Sequence, residues 1–468
     1  MALLEALNKV IYEFGKDVLI EPRLLNILND YHGFNEMPYA RFILKELQND
    51  GILAIIIKMA SFDQLKTKQI SQRIHNRFGF DIASVEHIIS QVGYAIERFQ
   101  VIATQEDLDN AWTDEKGVQY SQDRKRLLRA SDKGIINYSV REGTTVICSD
   151  AFFDCQSLIH LDLPEGITHI GGSAFEFCIS LQKLVLPKSL NYMGINPFVK
   201  CNNIKYMICL SPHFNSVNHM ILNEGLDHVI GYFGDDRYMK VPNGVIHIDE
   251  NAFYFNELVQ SIVLPESVEH IGDHAFRFCS SLQNLVIPNS VKSIGKEAFI
   301  ECDSLQSVTL PKQSNYLDFS YCPSLQSITL PENIKSIPDY TFCMLHSLQF
   351  ISLPKKVTSI GKKAFFDCCS LQDITWCDQI NFIDDEAFEH CVSLKSIIFP
   401  HKLAHIGKWA FQHCNSLDSI TFYDNVRQIE EEAFRYCDSL KSIFIPQGMR
   451  SHFERLLPVD LHKLLIEQ

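Results

Sequence analysis

No cysteine precedes Cys148, although the chain of 468 residues carries 15. Basic residues are short as well: 42 Lys and Arg stand against 57 Asp and Glu, a formal charge of −15. A nucleic-acid partner wants a basic face, so that balance argues against one. The dense basic run is "DRKRLLR" (Asp123–Arg129), which reads as a solvated hairpin. Long apolar runs are missing too. The stretch "GILAIIIKMA" (Gly51–Ala60) is short and carries Lys58, well below the roughly 18 apolar residues that span a bilayer. No membrane span is expected.

Chemical signatures are equally scarce. There is no Gly-rich phosphate loop, no G-x-S-x-G, no H-E-x-x-H and no Cys-x-x-Cys, so neither enzyme, cofactor nor metal is expected. His32, His75 and His87 are spread over three segments, and a site needs convergent partners. The denser cluster "HKLAHIGKWAFQHC" (His401–Cys414) puts His401 and His405 in a turn after a strand, where helical spacing loses its meaning. The first residues show no export signal, because Glu5 comes early and Asn8 and Lys9 interrupt the apolar positions. The odd cysteine count fits a reducing compartment. A cytoplasmic location is expected, with the cell surface as the alternative.

What the chain does have is repetition. Ala–Phe pairs recur at Ala151, Ala174, Ala252, Ala275, Ala298, Ala364, Ala387, Ala410 and Ala433, with variants at Pro197, Asp318 and Thr341, and most steps are 23 residues. A fixed period in the twenties marks a solenoid, whose units bury their apolar faces only against one another. Four residues after the Ala stands a Cys: Cys155, Cys178, Cys201, Cys279, Cys302, Cys322, Cys368, Cys391, Cys414 and Cys437. One ligand per coil in a line suits no tetrahedral zinc, so the thiols read as small buried core groups. The Phe after each Ala reads as a stacked hydrophobic spine.

Each unit then offers an alternating run such as "SVTLP" or "SITLP", which reads as one strand per coil in a parallel sheet. Ile328 and Leu330 should face inward, and Ser327 and Thr329 outward. Two segments that resemble each other, one before Ala151 and one before Ala252, read as β-hairpin modules. The step from Ala298 to Asp318 is short, which suggests a kink around "PKQSNYLDFSYC".

Residues 1–112 read as a helical domain of about five helices. Leu3, Leu4, Leu7, Val10 and Ile11 set one, and others run from Pro22 to Tyr31, Pro38 to Gln48, inside Leu53–Phe78, and from Ile82 to Phe99 with Asp81 as cap. Residues 113–145 give a linker and hairpin cap, and 146–447 the solenoid, interrupted by the second hairpin at about 218–241. Residues 448–468 are a helical cap.

The unit "L-x-x-[LIV]-x-[LIF]-P … [SH]-I-G-x-x-A-F-x-x-C-x-S-L" resembles the BspA-like class of bacterial leucine-rich repeats, over about Gly117 to Gln447. The resemblance implies a parallel-sheet solenoid, and with the helical pattern ahead of it the chain reads as α+β multidomain. Its leucine-rich-repeat solenoid has a parallel β-sheet, short irregular return segments and two β-hairpin modules, and follows a small all-α domain. It also implies protein recognition, with surface adhesins as the best-known members.

The expected function is therefore a non-enzymatic protein-interaction module, with a protein partner bound on the sheet face. A surface adhesin is the alternative, and a regulatory subunit with activity in the helical domain comes third. A homo-oligomer through the helical domain is a further expectation. On the sheet face, Tyr206, Phe350 and Phe444 are the candidate anchors, with Lys183 and Asp373 beside them, because interface energy concentrates in aromatics.

Overall fold

The computed structural model describes residues 2–35, 37–57, 64–314 and 318–468. It divides into two compact units, Met1–His213 and Phe214–Gln468.

The first unit opens with helices α1 (Ala2–Phe14), α2 (Leu24–Asp30), α3 (Ala40–Asn49), α4 (Ile52–Ile57), α5 (Gln64–Phe78), α6 (Ile82–Gln100) and α7 (Gln105–Asp109). The longest, α6, starts where Asp81 accepts the Ser84 amide at 2.9 Å, as its N-cap position demands. It buries Val85, Ile88, Ile89, Val92 and Ile96, a stripe at the helical period. Leu3, Leu7, Val10 and Ile11 of α1 join the same core.

Two helices occupy the span Leu53–Phe78, where one was expected, and the residues between them lie outside those described. The five-residue α7 escapes periodicity altogether and owes its existence to a capping box between Thr104 and Asp107.

Strands follow: β1 (Trp112–Thr113), β2 (Val118–Tyr120), β3 (Arg126–Ala130), β4 (Asn137–Ser139), β5 (Val146–Ile147), β6 (His160–Asp162), β7 (His169–Ile170), β8 (Lys183–Leu186), β9 (Tyr192–Met193) and β10 (Tyr206–Cys209). The first three run antiparallel, and β3 then pairs in parallel with β5. From there the sheets diverge: β3, β5, β7 and β9 form one ladder, and β4, β6, β8 and β10 another. Each coil thus supplies two strands, which corrects the expectation of one. The second strand is a two-residue "HI" or "SI" pair, too short for alternation to betray it.

The second unit starts the same way. Strands β11 (Phe214–Val217), β12 (Met220–Asn223) and β13 (His228–Tyr232) are antiparallel. Then β13 leads a parallel ladder through His247–Ile248, His270–Ile271 and Ser293–Ile294. The other ladder starts at Tyr238–Lys240 and climbs through Ser261–Val263 to Ser327–Thr329. Ile328 is half-buried and Leu330 buried, with Ser327 and Thr329 exposed. Both ladders continue in the later coils. The kink expected near "PKQSNYLDFSYC" has at its middle residues 315–317, which lie outside those described. At the C-terminus α8 (Arg450–Leu456) and a 3-10 turn (Val459–Leu464) precede a strand, Leu465–Glu467, which pairs in parallel with Ser442–Ile445.

Successive coils meet at the Ala–Phe–Cys corner. The Phe rings stack: Phe253 on Phe276 at 5.1 Å, Phe365 on Phe388 at 4.9 Å and Phe388 on Phe411 at 5.1 Å. From Cys178 to Cys437, nine thiols each donate to the carbonyl of the Phe one coil back, at 3.0–3.3 Å. The same carbonyl accepts the amide of its own coil's Cys, as Cys391 N to Phe388 O at 3.2 Å. The cysteine is therefore core, as expected, and a donor as well.

The backbone at this corner is costly. Residues just before the Ala and just before the Cys adopt positive φ without being glycine, among them Trp409 (57°), His413 (60°), Glu432 (60°) and Tyr436 (59°). Each such conformation costs roughly 1–2 kcal/mol. It aims the amide at the next coil, as in His390 N to Gln412 O at 2.9 Å and Asp367 N to Glu389 O at 2.8 Å, and these bonds offset the strain.

Removing a ring from the middle of the stack should be expensive: Phe388→Ala should cost about 3–5 kcal/mol. Cys391→Ala, which removes a thiol donor but leaves the amide on Phe365 O, should cost about 1 kcal/mol. Urea unfolding of the two variants beside the parent checks both the sizes and their order.

Candidate interaction surface

Strand alternation turns the first and third residue of each long-ladder strand outward and buries the second. In the second unit the outward residues form two columns. Tyr238, Ser261, Asn284 and Ser307 open the first, and Lys240, Val263, Val286 and Thr309 the second. Between Ser261 and Phe444 Asp373 is the charged member of these columns. For a chain of net charge −15, that is a neutral face of hydroxyls, aliphatics and a few rings.

The sequence candidates fall into separate places. Tyr206 (68% exposed) and Lys183 are register partners on β10 and β8 of the first unit. Phe350 (58% exposed) and Asp373 are register partners in the second. Phe444 is only half-exposed, flanked by its register partners Thr421 and Ile466. Two of the five candidates thus lie in the first unit and three in the second.

Sequence reasoning passed over other well-exposed apolar members of the face: Tyr238 (76%), Val286 (64%), Ile398 (62%) and Val263 (54%). The signal was present. In "SIVLP" and "NLVIP" the same alternation that points Thr329 outward points Val263 and Val286 outward. Their apolar character disguised them as core.

The basic run also reads differently in three dimensions. Lys125 and Arg129 face solvent, whereas Arg126 is partly buried and binds Asp107 at 2.8 Å and the Ile102 carbonyl at 2.5 Å. Burial would raise the Asp107 carboxyl, but the Thr104 amide and the Arg126 guanidinium outweigh it and hold it below the usual range.

Among the described residues no catalytic constellation gathers. The His401–Cys414 cluster is split among columns: His401 stacks on Tyr423, His405 on Phe382, and His413 between His390 and Tyr436. His405 lies in a short-ladder strand, not in the turn expected for it. Glu389 is the most perturbed carboxyl. Burial, then the neighbouring Glu386, raise it to about 7, but its surroundings are a surface network in which Lys363 holds Glu386 at 2.9 Å. Burial pushes the thiols of Cys279 and Cys437 up to about 12, far from nucleophilic at neutral pH. Among the described residues no group of three or more His, Cys, Asp or Glu could hold a metal ion, and no helix is long and apolar enough to cross a membrane.

Comparison with known proteins gives one family match. The BspA type leucine rich repeat region matches residues 131–229, 237–343 and 315–441, in 6 copies. No curated protein matches the chain. Among solved structures, a leucine-rich repeat protein from Bacteroides ovatus is 21% identical with a TM-score of 0.47, over 77% of this chain and 90% of that one. A leucine rich cell surface protein from Faecalibacterium prausnitzii is 23% identical with a TM-score of 0.45, over 74% and 97%. A leucine-rich repeat protein from Eubacterium ventriosum is 16% identical with a TM-score of 0.42, over 70% and 92%. No catalytic family is indicated.

All 15 cysteines are free, and Cys209, Cys369 and Cys437 are the half-exposed ones. Titration of the native protein with a thiol reagent should therefore label at most these three quickly, and all 15 once urea is added. Rapid native labelling beyond three would contradict the buried ladder.

Proposed function

Because this chain belongs to the BspA type leucine rich repeat family, we propose that it is a non-enzymatic protein-interaction module whose recognition surface is the long-ladder face of the second unit. The observation that carries this reading is the neutrality of that face between Ser261 and Phe444, with Val263, Val286, Phe350 and Ile398 standing exposed on it. The small outward residues suit strands anyway. Val, Ile and Phe also have strand preference, but apolar area of theirs left exposed to water along one face supports a binding role.

A reducing compartment suits the protein, since the corner relies on S–H donors that oxidation would remove. We place it in the cytoplasm on that ground.

Binding through a neutral face has a distinctive salt response. Exposed charges lose their reach as salt rises, whereas apolar contact does not. The immobilised full chain should hold its protein partner equally at 50 and 500 mM salt (concentrations chosen on the order of one and ten times the low-salt range). Phe350→Ser should weaken that capture by about thirtyfold, the loss typical of an aromatic hot spot, with the unfolding midpoint unchanged. Capture that disappears at high salt, or survives Phe350→Ser together with Ile398→Ser in folded protein, would move the recognition surface elsewhere.

A further inference from the structure

The short ladder carries a histidine at the same strand position in several coils. His247, His270 and His405 occupy it in the second unit, each half-exposed. His169 occupies it in the first unit, on β7 between Val146 of β5 and Tyr192 of β9, and it is 3% exposed.

The helical region makes the difference. Val146 and Tyr192 belong to a small core with Val101, Leu128 and Cys148, against which Ala103, Leu108 and Ala111 pack. Ser149 N donates to Val101 O at 2.6 Å, and Arg126 ties β3 to Asp107 and to Ile102. The end of α6, α7 and the segment joining them therefore rest on the short ladder of the first coils, over the column that includes His169.

Its two ring nitrogens are held unequally. The Thr168 hydroxyl donates to Thr145 O at 3.1 Å, so its oxygen is left to accept from His169 Nδ1, 2.8 Å away. The proton then sits on Nδ1, and Nε2 is a bare, buried acceptor without a partner among the described residues. The ring lies 5.5 Å from that of Tyr192. The charged groups nearby are otherwise engaged or act elsewhere: Arg126 on Asp107, and Glu97 and Arg98 of α6 as opposed charges beside Tyr192. None of these is a hydrogen-bonded carboxylate for a cationic ring.

We propose that His169 is a proton-operated latch, and that protonation of its Nε2 releases the α6–α7 end of the helical region from the short ladder. Burial alone pulls this imidazole down to about 4, against about 6.5 when exposed to water. The released form thus binds the proton more tightly than the docked form. Docking is at full strength above about 6.5, weakens as pH falls toward 4, and loses nothing further below that. Protons bound at Nε2 draw the equilibrium toward release, since a buried cation without a partner is disfavoured.

Hydrogen exchange on the full chain tests this. After correction for intrinsic rates, the Ser149 amide, bonded to Val101 O across the docked seat, and the amides of 97–111 should open about 30-fold more often at pH 5 than at pH 7.5, the ratio set by those two pKa values. The array strands His160–Asp162 and Lys183–Leu186 should hold their protection. His169→Phe keeps a ring against Tyr192 but has no nitrogen to protonate, and it should abolish the response. Unchanged protection in the parent at pH 5, or an equal loss in His169→Phe, overturns the latch. Should the variant fold poorly, NMR titration of His169 in the parent decides: a midpoint well below 6 supports the latch, and one near 6.5 overturns it.

Discussion

The corner where a Phe carbonyl meets a thiol from the next coil is the contact on which the array depends. It asks one backbone oxygen to accept two donors, one amide from its own turn and one S–H from its neighbour. Asn256 and Leu345 fill the cysteine position in two coils, both buried, so a larger side chain can be seated there, but neither supplies a thiol donor. Cysteine is small, apolar enough for a buried site, and still a weak donor. The stacked rings beside it supply the area, and the thiols supply the register.

That corner was legible in the sequence because it repeats. Period, spine and buried thiols all follow from counting residues between Ala387, Phe388 and Cys391 and their counterparts. The short ladder was not legible. A two-residue strand such as Ser359–Ile360 has no alternation to detect, and its partners are 23 residues away. The left-handed residues were equally hidden, since Trp409 and Tyr436 carry no local preference for such a conformation. Their geometry is imposed by bonds to the next coil, a tertiary cause that no window of sequence contains. In the helical region the amphipathic stripe of α6 announced itself, while α7 rests on one capping box.

The candidate surface was legible in its geometry and misjudged in its content. Alternation assigns Phe350 and Asp373 outward, and the structure agrees. Choosing anchors by aromaticity favoured Phe444, which its neighbours half cover, and overlooked Ile398 and Val286, which stand mostly exposed. How exposed a position is depends on what the adjacent coils present, and single-strand reading has no access to that. The helical region illustrates the same point from the other side. Its seat on the short ladder is written in Arg126, one member of a basic run that looks like a solvated turn.

Each run of coils begins with its own trio of antiparallel strands, β1–β3 in one and β11–β13 in the other. In a stack whose members touch only their neighbours, cooperativity travels from coil to coil. A start that is supplied twice gives that travel two origins. The second hairpin is thus less an interruption of the array than a second foundation laid for it.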